Sequence, residues 1–248
     1  MENFELSSVK KCLILGGGNI GLALGRQIKK KLPEAAVVVT KRSIEDVPKE
    51  QKEELTFLPH DPLKEGSWSS LAQTLENDFS ELDLVISTYG VLHNDTLAPE
   101  KKLEDIKLSN LVEAFSVNTF TAPLAAKYLM KIVSKGSPST FVFLSAKVGS
   151  IADDSTGGWY AYRSSKAALN MMVKNMAIEF KNRNKKTFAV AIHPGTTETH
   201  LSKPFLSGFS LKVWSPDETA EHILNVISEI GPEKSGSFLN WDGSTIPW

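Results

Sequence analysis

The sequence has little cysteine, little net charge and no long apolar run. Its one cysteine, Cys12, cannot form a disulfide within the chain and fits a reducing compartment. The 28 basic and 29 acidic side chains nearly cancel, so we expect neither nucleic acid nor an anionic membrane as a partner. No apolar run approaches the ~18 residues that span a membrane, and the acidic N-terminus shows no signal-peptide pattern. We therefore expect a cytoplasmic protein, and we predict no metal site.

Short apolar runs alternate with helical patterns along the chain. The runs that predict strands are residues 12–15, 35–40, 55–58, 82–87, 139–145, 188–192 and 237–241. Helical spacing of apolar residues lies between them, most clearly over 68–79 and 108–129. This alternation is typical of βαβ units and of a parallel sheet covered on both faces. We predict an α/β, doubly wound parallel sheet, and the length favours a single domain over residues 1–248.

A glycine turn stands between the first strand and the first helical pattern. Gly16, Gly18 and Gly21 form the pattern G-x-G-x-x-G, with Asn19 and Ile20 inside it. Such glycines allow a tight turn and let a pyrophosphate approach the backbone at a helix N-terminus. The strand before the turn and the helix after it favour this interpretation over a plain glycine-rich loop. The pattern predicts a Rossmann-type dinucleotide site.

The residues that follow the second and third strands indicate which dinucleotide binds. An NAD-selective site usually has an acid after the second strand, whereas here Thr40 is followed by Lys41 and Arg42. Two cations suit a 2′-phosphate, so we predict NADP(H), with a solvated basic loop as the alternative. Asp61 follows the third strand, where open parallel sheets bind ligands. A turn-forming Asp before Pro62 explains that residue equally well.

Tyr162 and Lys166 are four residues apart in a stretch rich in helix formers. Residues at this spacing lie on one face of a helix. A neighbouring ammonium lowers the phenol's pKa from about 10, which makes the phenol a usable proton donor or acceptor. Taken alone, this short motif also occurs by chance on helix surfaces. Tyr160 is the rival phenol, but only Tyr162 has the required spacing.

These motifs resemble, in order and spacing, those of the short-chain dehydrogenase/reductase family. The glycine turn, Asn118, the spaced tyrosine and lysine and His193-Pro194-Gly195 fall where that family has its motifs. The similarity covers nearly the whole chain. Residues 149–171 and the ending, residues 240–248, resemble in particular the C-factor (C-signal) and sniffer-like branch.

The resemblance implies roles for individual residues. Tyr162 would be the catalytic acid/base, Lys166 would bond the nicotinamide ribose and lower the pKa of Tyr162, and Asn118 would hold a water in a proton relay. The substrate would be a small carbonyl compound or alcohol, and the protein a homodimer or homotetramer. The predicted cofactor-binding residues are Gly16, Gly18, Asn19, Ile20, Gly21, Lys41, Arg42, Asp61, Gly90, Lys166, Pro194, Gly195 and Thr199.

The sequence departs from the family pattern at three places. The glycine turn is shorter than T-G-x-x-x-G-x-G, and Ser87-Thr88-Tyr89-Gly90 replaces Asn-Asn-Ala-Gly. In addition, Ala146 occupies the position of the family's catalytic serine, and Ser145 precedes it. Neighbouring residues of a strand face opposite sides, so Ser145 can serve only if the strand end twists or bulges. We predict that Ser145 is catalytic; the alternatives are Ser150 and no serine at all.

Two functions are consistent with these residues. The first is an NADPH-dependent carbonyl reductase or alcohol dehydrogenase, in which the cofactor does the redox chemistry. The second is a C-factor-like binding or signalling protein with little turnover, because a fold does not settle function. Retention of Asn118, Tyr162 and Lys166 together favours chemistry. Within residues 200–214, where the family closes a lid, Phe205, Phe209 and Trp214 suit either an apolar ligand or a subunit contact.

Overall fold

Strands form a single parallel sheet in the structure, a computed structural model that describes residues 2–207 and 212–248. The sheet has seven strands in the order β3-β2-β1-β4-β5-β6-β7. Each neighbouring pair runs parallel. Their bounds are β1 Lys11–Leu15, β2 Ala36–Lys41, β3 Thr56–Pro59, β4 Leu84–Ser87, β5 Ser139–Leu144, β6 Thr187–Ile192 and β7 Phe238–Leu239.

Helices connect the strands. Their bounds are α1 Asn19–Lys31, α2 Lys49–Glu54, α3 Glu65–Phe79, α4 Leu108–Phe115, α5 Thr121–Leu129, α6 Tyr160–Arg183 and α7 Pro216–Ile227. The start of α7 follows from its sequence, since Ser215 and Glu218 form a capping box around Pro216. In the described ranges, no helix is both long enough and apolar enough to cross a membrane.

The two faces of the sheet are covered by different helices. Alternate strand residues point to opposite faces, so Ile14 packs in a core with residues of α1 and α7. Its neighbour Leu13 packs in the other core, with residues of α3, α5 and α6. Both side chains are fully buried. The predicted α/β fold, a Rossmann-type doubly wound parallel sheet, is confirmed.

The structure corrects the sequence prediction at one helix. The predicted helix over 108–129 is divided by a π-helical turn, Ser116–Phe120, which lies between α4 and α5. Helical patterns in a sequence do not reveal such a turn, because one wide turn barely changes the spacing of apolar residues. The turn contains Asn118, and π-helical turns are frequent at functional sites.

The strand order also shows where a ligand would bind. The order reverses between β1 and β4, which are direct neighbours although β2 and β3 lie between them in sequence. Open α/β sheets bind ligands in the crevice beyond the carboxyl ends of the strands at such a point. The glycine turn follows β1 at this place, so the fold brings it to the same edge as the ends of β4, β5 and β6.

Candidate active site

A large cavity opens at this edge of the sheet. Its volume is about 740 Å³. Tyr162 lines it, together with residues that follow β5 and β6 and with part of the segment 199–206. The aromatic wall consists of Trp159 and Phe205, whose ring centroids are 5.1 Å apart, and Trp159 lies edge-on to Tyr162 at 6.2 Å. The cavity therefore combines apolar surface with one phenol, as small-molecule sites commonly do.

Tyr162 and Lys166 are held by the first turns of α6. The Lys166 ammonium donates to the Leu144 carbonyl oxygen at 2.9 Å, and its Nζ is 5.9 Å from the centre of the Tyr162 ring. Gly149 makes this packing possible, because a Cβ there would lie 2.8 Å from Lys166 Cβ. The predicted one-face arrangement of the two side chains is present in the helix.

Burial shifts both groups towards their neutral forms. It lowers the pKa of the Lys166 ammonium to about 8 and raises the pKa of the Tyr162 phenol to about 12. Desolvation of the phenol dominates here, because the ammonium is bonded to the Leu144 carbonyl rather than to the phenol oxygen. The implied lowering of the Tyr162 pKa by Lys166 stays a prediction.

Asn118 connects the π-helical turn to α6. Its Oδ1 accepts from the Val91 backbone N–H at 2.7 Å, and its Nδ2 donates to the Val91 carbonyl and to Ser165 Oγ, both at 2.9 Å. Ser165 Oγ in turn donates to the Tyr162 carbonyl at 2.8 Å. These bonds fix the backbone of Tyr162. They also engage both polar atoms of the Asn118 amide, and its implied role in holding a water stays a prediction.

Gly90 completes this group. A Cβ at Gly90 would lie 3.6 Å from Lys166 Nζ and 3.8 Å from Asn118 Oδ1. The structure therefore places Gly90, Asn118 and Lys166 side by side. A Cβ at Gly90 would make ordinary van der Waals contact with the ammonium and the amide.

Ser145 does not satisfy the geometric condition for a catalytic hydroxyl. Its Oγ donates to Asn170 Oδ1 at 2.7 Å and is buried, and within the described ranges no hydrogen bond joins it to Tyr162. The predicted twist or bulge is absent, because the Ser145 N–H continues the strand pairing with the Ile192 carbonyl. Ala146 is also extended, with φ −146° and ψ 142°. Normal alternation therefore persists and turns the hydroxyl towards α6.

The alternative serine is also engaged. Ser150 Oγ donates to the Pro247 carbonyl at 2.6 Å and accepts from the Asp153 N–H at 3.2 Å. Ser145, Ala146 and Ser150 all line the cavity. The two serines are thus near the phenol, but their hydroxyl groups bind other protein atoms.

The glycine turn has the geometry that a dinucleotide needs. Gly16 has φ +104°, and a Cβ at Gly21 would lie 2.0 Å from the Gly16 carbonyl oxygen. Gly18 precedes α1 at its N-cap, and a Cβ there would meet no atom within 4 Å. Asn19 begins α1 and Ile20 lines the cavity. Open space at a helix N-terminus fits the pyrophosphate of NADP.

Thr88 and Tyr89, which depart from the family pattern, bond to this turn. Thr88 Oγ1 donates to the Gly16 carbonyl at 2.8 Å. The Gly16 N–H donates to Thr40 Oγ1 at 3.0 Å, and that hydroxyl shares a 3.0 Å hydrogen bond with the Tyr89 phenol. Burial raises the pKa of Tyr89. The larger side chains therefore hold the shorter glycine turn in place.

The basic residues after β2 lie beside Asp61. Lys41 packs over Gly17, where a Cβ would be 2.5 Å from Lys41 Cγ, and Arg42 is exposed. Asp61 Oδ1 accepts from the Leu63 N–H at 3.1 Å, so Asp61 forms a turn in this structure. The Leu63 N–H, and to a smaller extent Lys64 and Arg42, hold the pKa of Asp61 below its usual range.

The segment after β6 contributes a backbone turn and one aromatic wall. Pro194, Gly195 and Thr199 line the cavity, and Gly195 has φ +77°. Phe205 also lines it. Trp214 instead packs against Trp241 and His222, at centroid distances of 5.1 and 4.5 Å. Phe209 lies outside the described residues.

One cavity residue was missed by the sequence reasoning. His193 lines the cavity at the end of β6, and its Nδ1 is buried with no hydrogen-bond partner in the part of the chain that the structure describes. Burial, helped by the cation of Lys147, lowers the pKa of His193 to about 4. The only sequence signal was its place directly before Pro194-Gly195.

Known proteins are similar to this chain in sequence and in fold. The family described as enoyl-(acyl carrier protein) reductase matches residues 19–224. The C-signal of Myxococcus xanthus is 30% identical over 146 residues, which is 59% of this chain and 83% of that protein. The solved structure of carbonyl reductase Sniffer of D. melanogaster has a TM-score of 0.82 at 22% identity and covers 97% of this chain and 100% of that one.

A second solved structure, NADPH-bound carbonyl reductase from chicken fatty liver, has a TM-score of 0.82 at 24% identity and covers 97% of this chain and 99% of that one. Together with the family match, these similarities identify the class. The chain belongs to the short-chain dehydrogenase/reductase family of oxidoreductases. The resemblance to the C-signal is confirmed, and the likeness to the Sniffer structure shows a shared fold.

Proposed function

We propose that the protein reduces a carbonyl group with NADPH, or oxidises the matching alcohol in the reverse direction. The observation that carries the proposal is the placement of Tyr162 in the wall of a large cavity, with Lys166 one helical turn away. Asn118 donates to Ser165 of α6, and Ser165 in turn donates to the Tyr162 carbonyl. A protein that only binds a dinucleotide has no need of all three groups in this arrangement.

The residues at this edge of the sheet fit NADP as the cofactor. Lys41 and Arg42 supply positive charge at the end of β2, and charge-assisted bonds to a 2′-phosphate are of the strong kind. The open space at Gly18 suits the pyrophosphate. The NADPH-bound chicken relative supports the same choice. When bound, NADPH supplies the hydride; the remaining predicted contacts, including Asp61, Gly90, Pro194, Gly195 and Thr199, would orient it.

The protein itself supplies the proton for the reaction. With a pKa of about 12, Tyr162 keeps its proton at neutral pH and begins reduction as the donor. Its proton passes to the carbonyl oxygen as negative charge develops there. The Lys166 ammonium, fixed by the Leu144 carbonyl, then stabilises the phenolate that Tyr162 becomes.

We also propose that the protein works as a homodimer or homotetramer. Large apolar side chains are exposed on α4 and α6: Leu108 by 76%, Val112 by 56%, Met171 by 60% and Ile178 by 54%. Such exposed apolar surface usually marks a contact. Light scattering at micromolar concentration should give a multiple of the 27.2 kDa chain mass, and a monomer would contradict the proposal.

A second candidate function is a dinucleotide-binding signalling protein with little turnover. It is favoured by one specific observation: Ala146 replaces a serine and the Ser145 hydroxyl is bonded to Asn170. The similarity to the C-signal gives it further support. This candidate predicts NADPH binding without oxidation.

NADPH oxidation against a panel of aldehydes, ketones and quinones distinguishes the two candidates. The wild-type protein should oxidise NADPH with some members of the panel, and Tyr162→Phe should lower turnover by about 10²–10⁴, the usual contribution of a general acid. Tyr160→Phe is the matched control on the same helix turn. Equal rates for wild type and Tyr162→Phe, or no oxidation by either, would contradict the proposed reductase.

A further inference from the structure

Carbonyl reduction needs more than a proton donor. As hydride reaches the carbon, negative charge develops on the oxygen, and a second hydrogen-bond donor aimed at that oxygen stabilises the transition state. This requirement rests on the proposed function. The question is which group of the cavity can supply the donor.

The hydroxyl groups of the cavity are mostly engaged. Each of the following has its hydroxyl oxygen in a hydrogen bond to another protein atom: Ser145, Ser150, Thr156, Thr197, Thr199 and Ser202. Two further hydroxyl residues line the cavity, Ser155 and Thr196. Ser155 is exposed, so Thr196 is the only one of the two that lies beside the strand ends.

His193 lies at the carboxyl end of β6, next to the end of β5. Its backbone N–H pairs with the Leu239 carbonyl, while the Ser145 N–H pairs with the Ile192 carbonyl. The two residues therefore stand on neighbouring strands at the same edge, and both line the cavity with Tyr162. Its Nδ1 is buried without a partner among residues 2–207 and 212–248. Nε2 has no partner there either and, unlike Nδ1, is not fully buried, so Nε2 is the ring nitrogen with capacity to bind a ligand in the cavity.

The charge state of the His193 imidazole suits a hydrogen-bond donor. The other ionisable groups that line the cavity are two ion pairs, Lys147–Asp153 at 3.4 Å and Arg163–Asp154 at 3.1 Å, and Tyr162. With a pKa of about 4, His193 is neutral near pH 7. A neutral imidazole carries one N–H and can donate one hydrogen bond without changing its charge.

We propose that the Nε2–H of the neutral His193 imidazole donates the hydrogen bond that holds the substrate's carbonyl oxygen beside Tyr162. The strand-end imidazole thereby performs the role that neither Ser145 nor Ser150 is free to perform. The acceptor is an uncharged carbonyl group next to an apolar substituent, since Trp159 and Phe205 form the aromatic wall of the same cavity.

The test compares two substitutions at His193. His193→Phe keeps the ring and removes both nitrogens, and it should lower kcat by about 10²–10³, the usual effect of losing one such donor. Its Kd for NADPH should not change. His193→Gln places an amide N–H near the position of Nε2. It should therefore keep most of the activity that His193→Phe loses. His222→Phe is the matched control, because its Nδ1 is also buried without a partner in the described ranges but belongs to the Trp214 cluster.

Three outcomes would overturn the inference. Wild-type turnover by His193→Phe would leave the reductase in place and remove His193 from it, provided that Tyr162→Phe is inactive in the same assay. A large loss in Thr196→Val with none in His193→Phe would assign the donor to Thr196. No NADPH oxidation by the wild type with any carbonyl of the panel would remove the proposed function and this inference with it. A folding defect in His193→Phe would show as a loss of NADPH affinity, and then His193→Gln alone decides.

Discussion

The two sides of the cavity are built differently. On the helix side, both polar atoms of Asn118 are bonded and the Lys166 ammonium is held by the Leu144 carbonyl. On the strand-end side, the Ser145 hydroxyl is turned towards Asn170, and His193 has a buried nitrogen without a partner in the described residues. Asn118 and Lys166, which support Tyr162, are thus held by protein atoms, whereas His193 keeps hydrogen-bonding capacity for a ligand.

The comparison shows that a fixed group and a ligand-binding group differ in their partners rather than in their residue type. A buried polar atom in a native protein normally has a partner. Where all partners are protein atoms, the residue holds the site together. Where a partner is missing, the residue is a candidate for binding substrate. The predictions below test each side in turn.

The largest expected effect is on the helix side. Lys166→Met removes the cation that stabilises the Tyr162 phenolate, and it should lower kcat by about 10²–10⁴. Steady-state NADPH oxidation at neutral pH measures this. Lys174→Met, an exposed position on the same helix, is the control and should be close to wild type. A Lys166→Met variant with full turnover would show that the helix side is structural only.

A smaller effect, on the affinity for the cofactor, is expected from Arg42, which directly follows β2. Arg42→Ala should weaken NADPH binding by roughly 10–100-fold, because a hydrogen bond to a charged group contributes about 1.5–3 kcal/mol. NADH binding should change little, since NADH lacks the 2′-phosphate. Fluorescence titration of both cofactors measures the difference, with Arg183→Ala on the exposed end of α6 as the control. Equal affinity of the wild type for NADPH and NADH would contradict the proposed cofactor choice.

Ser145→Ala should affect stability more than turnover. The substitution leaves the buried Asn170 Oδ1 without its donor, which costs about 1–3 kcal/mol of unfolding free energy. Chemical denaturation measures the loss, and kcat should remain within a few-fold of wild type. A loss of 10² or more in kcat at unchanged stability would restore Ser145 as the catalytic serine that the sequence predicted.

The smallest effect is a change of stability with pH. Burial lowers the pKa of Lys166 from 10.5 to about 8, so between these values the unfolded chain binds more protons at this residue than the folded chain. Stability from this group therefore rises with pH in that window and is lost as pH falls through about 8. The unfolding free energy of wild type minus that of Lys166→Met should increase from pH 8 to pH 10. If this free-energy difference stays constant or falls between pH 8 and pH 10, the Lys166 ammonium is in contact with water in the folded protein.

The fold and the helix side could be predicted from the sequence because both depend on local periodicity. Alternating strands and helices specify a parallel sheet, and the spacing of Tyr162 and Lys166 specifies one helix face. Asn118 was found by its motif, but the π-helical turn that carries it was not, since one wide turn hardly alters the apolar pattern.

The strand-end side could not be predicted because its chemistry depends on partners that are distant in sequence. Ser145 was expected to reach Tyr162, but it bonds to Asn170, 25 positions away. Tyr89 was recognised as unusual, yet its bond to Thr40 crosses 49 positions. His193 was noted only as part of a motif. Its orphaned nitrogen becomes visible only when the packing around it is known.

The central claim is that hydride passes from NADPH to a carbonyl carbon in this cavity. NADPH deuterated at the transferring position of its nicotinamide ring tests this most directly, with any carbonyl of the panel that supports oxidation. We predict one deuterium on the carbinol carbon of the product, detected by mass spectrometry, and about 10²–10⁴-fold less labelled product with Tyr162→Phe over the same time. Binding of NADPH without any labelled alcohol would contradict the account and favour the signalling protein.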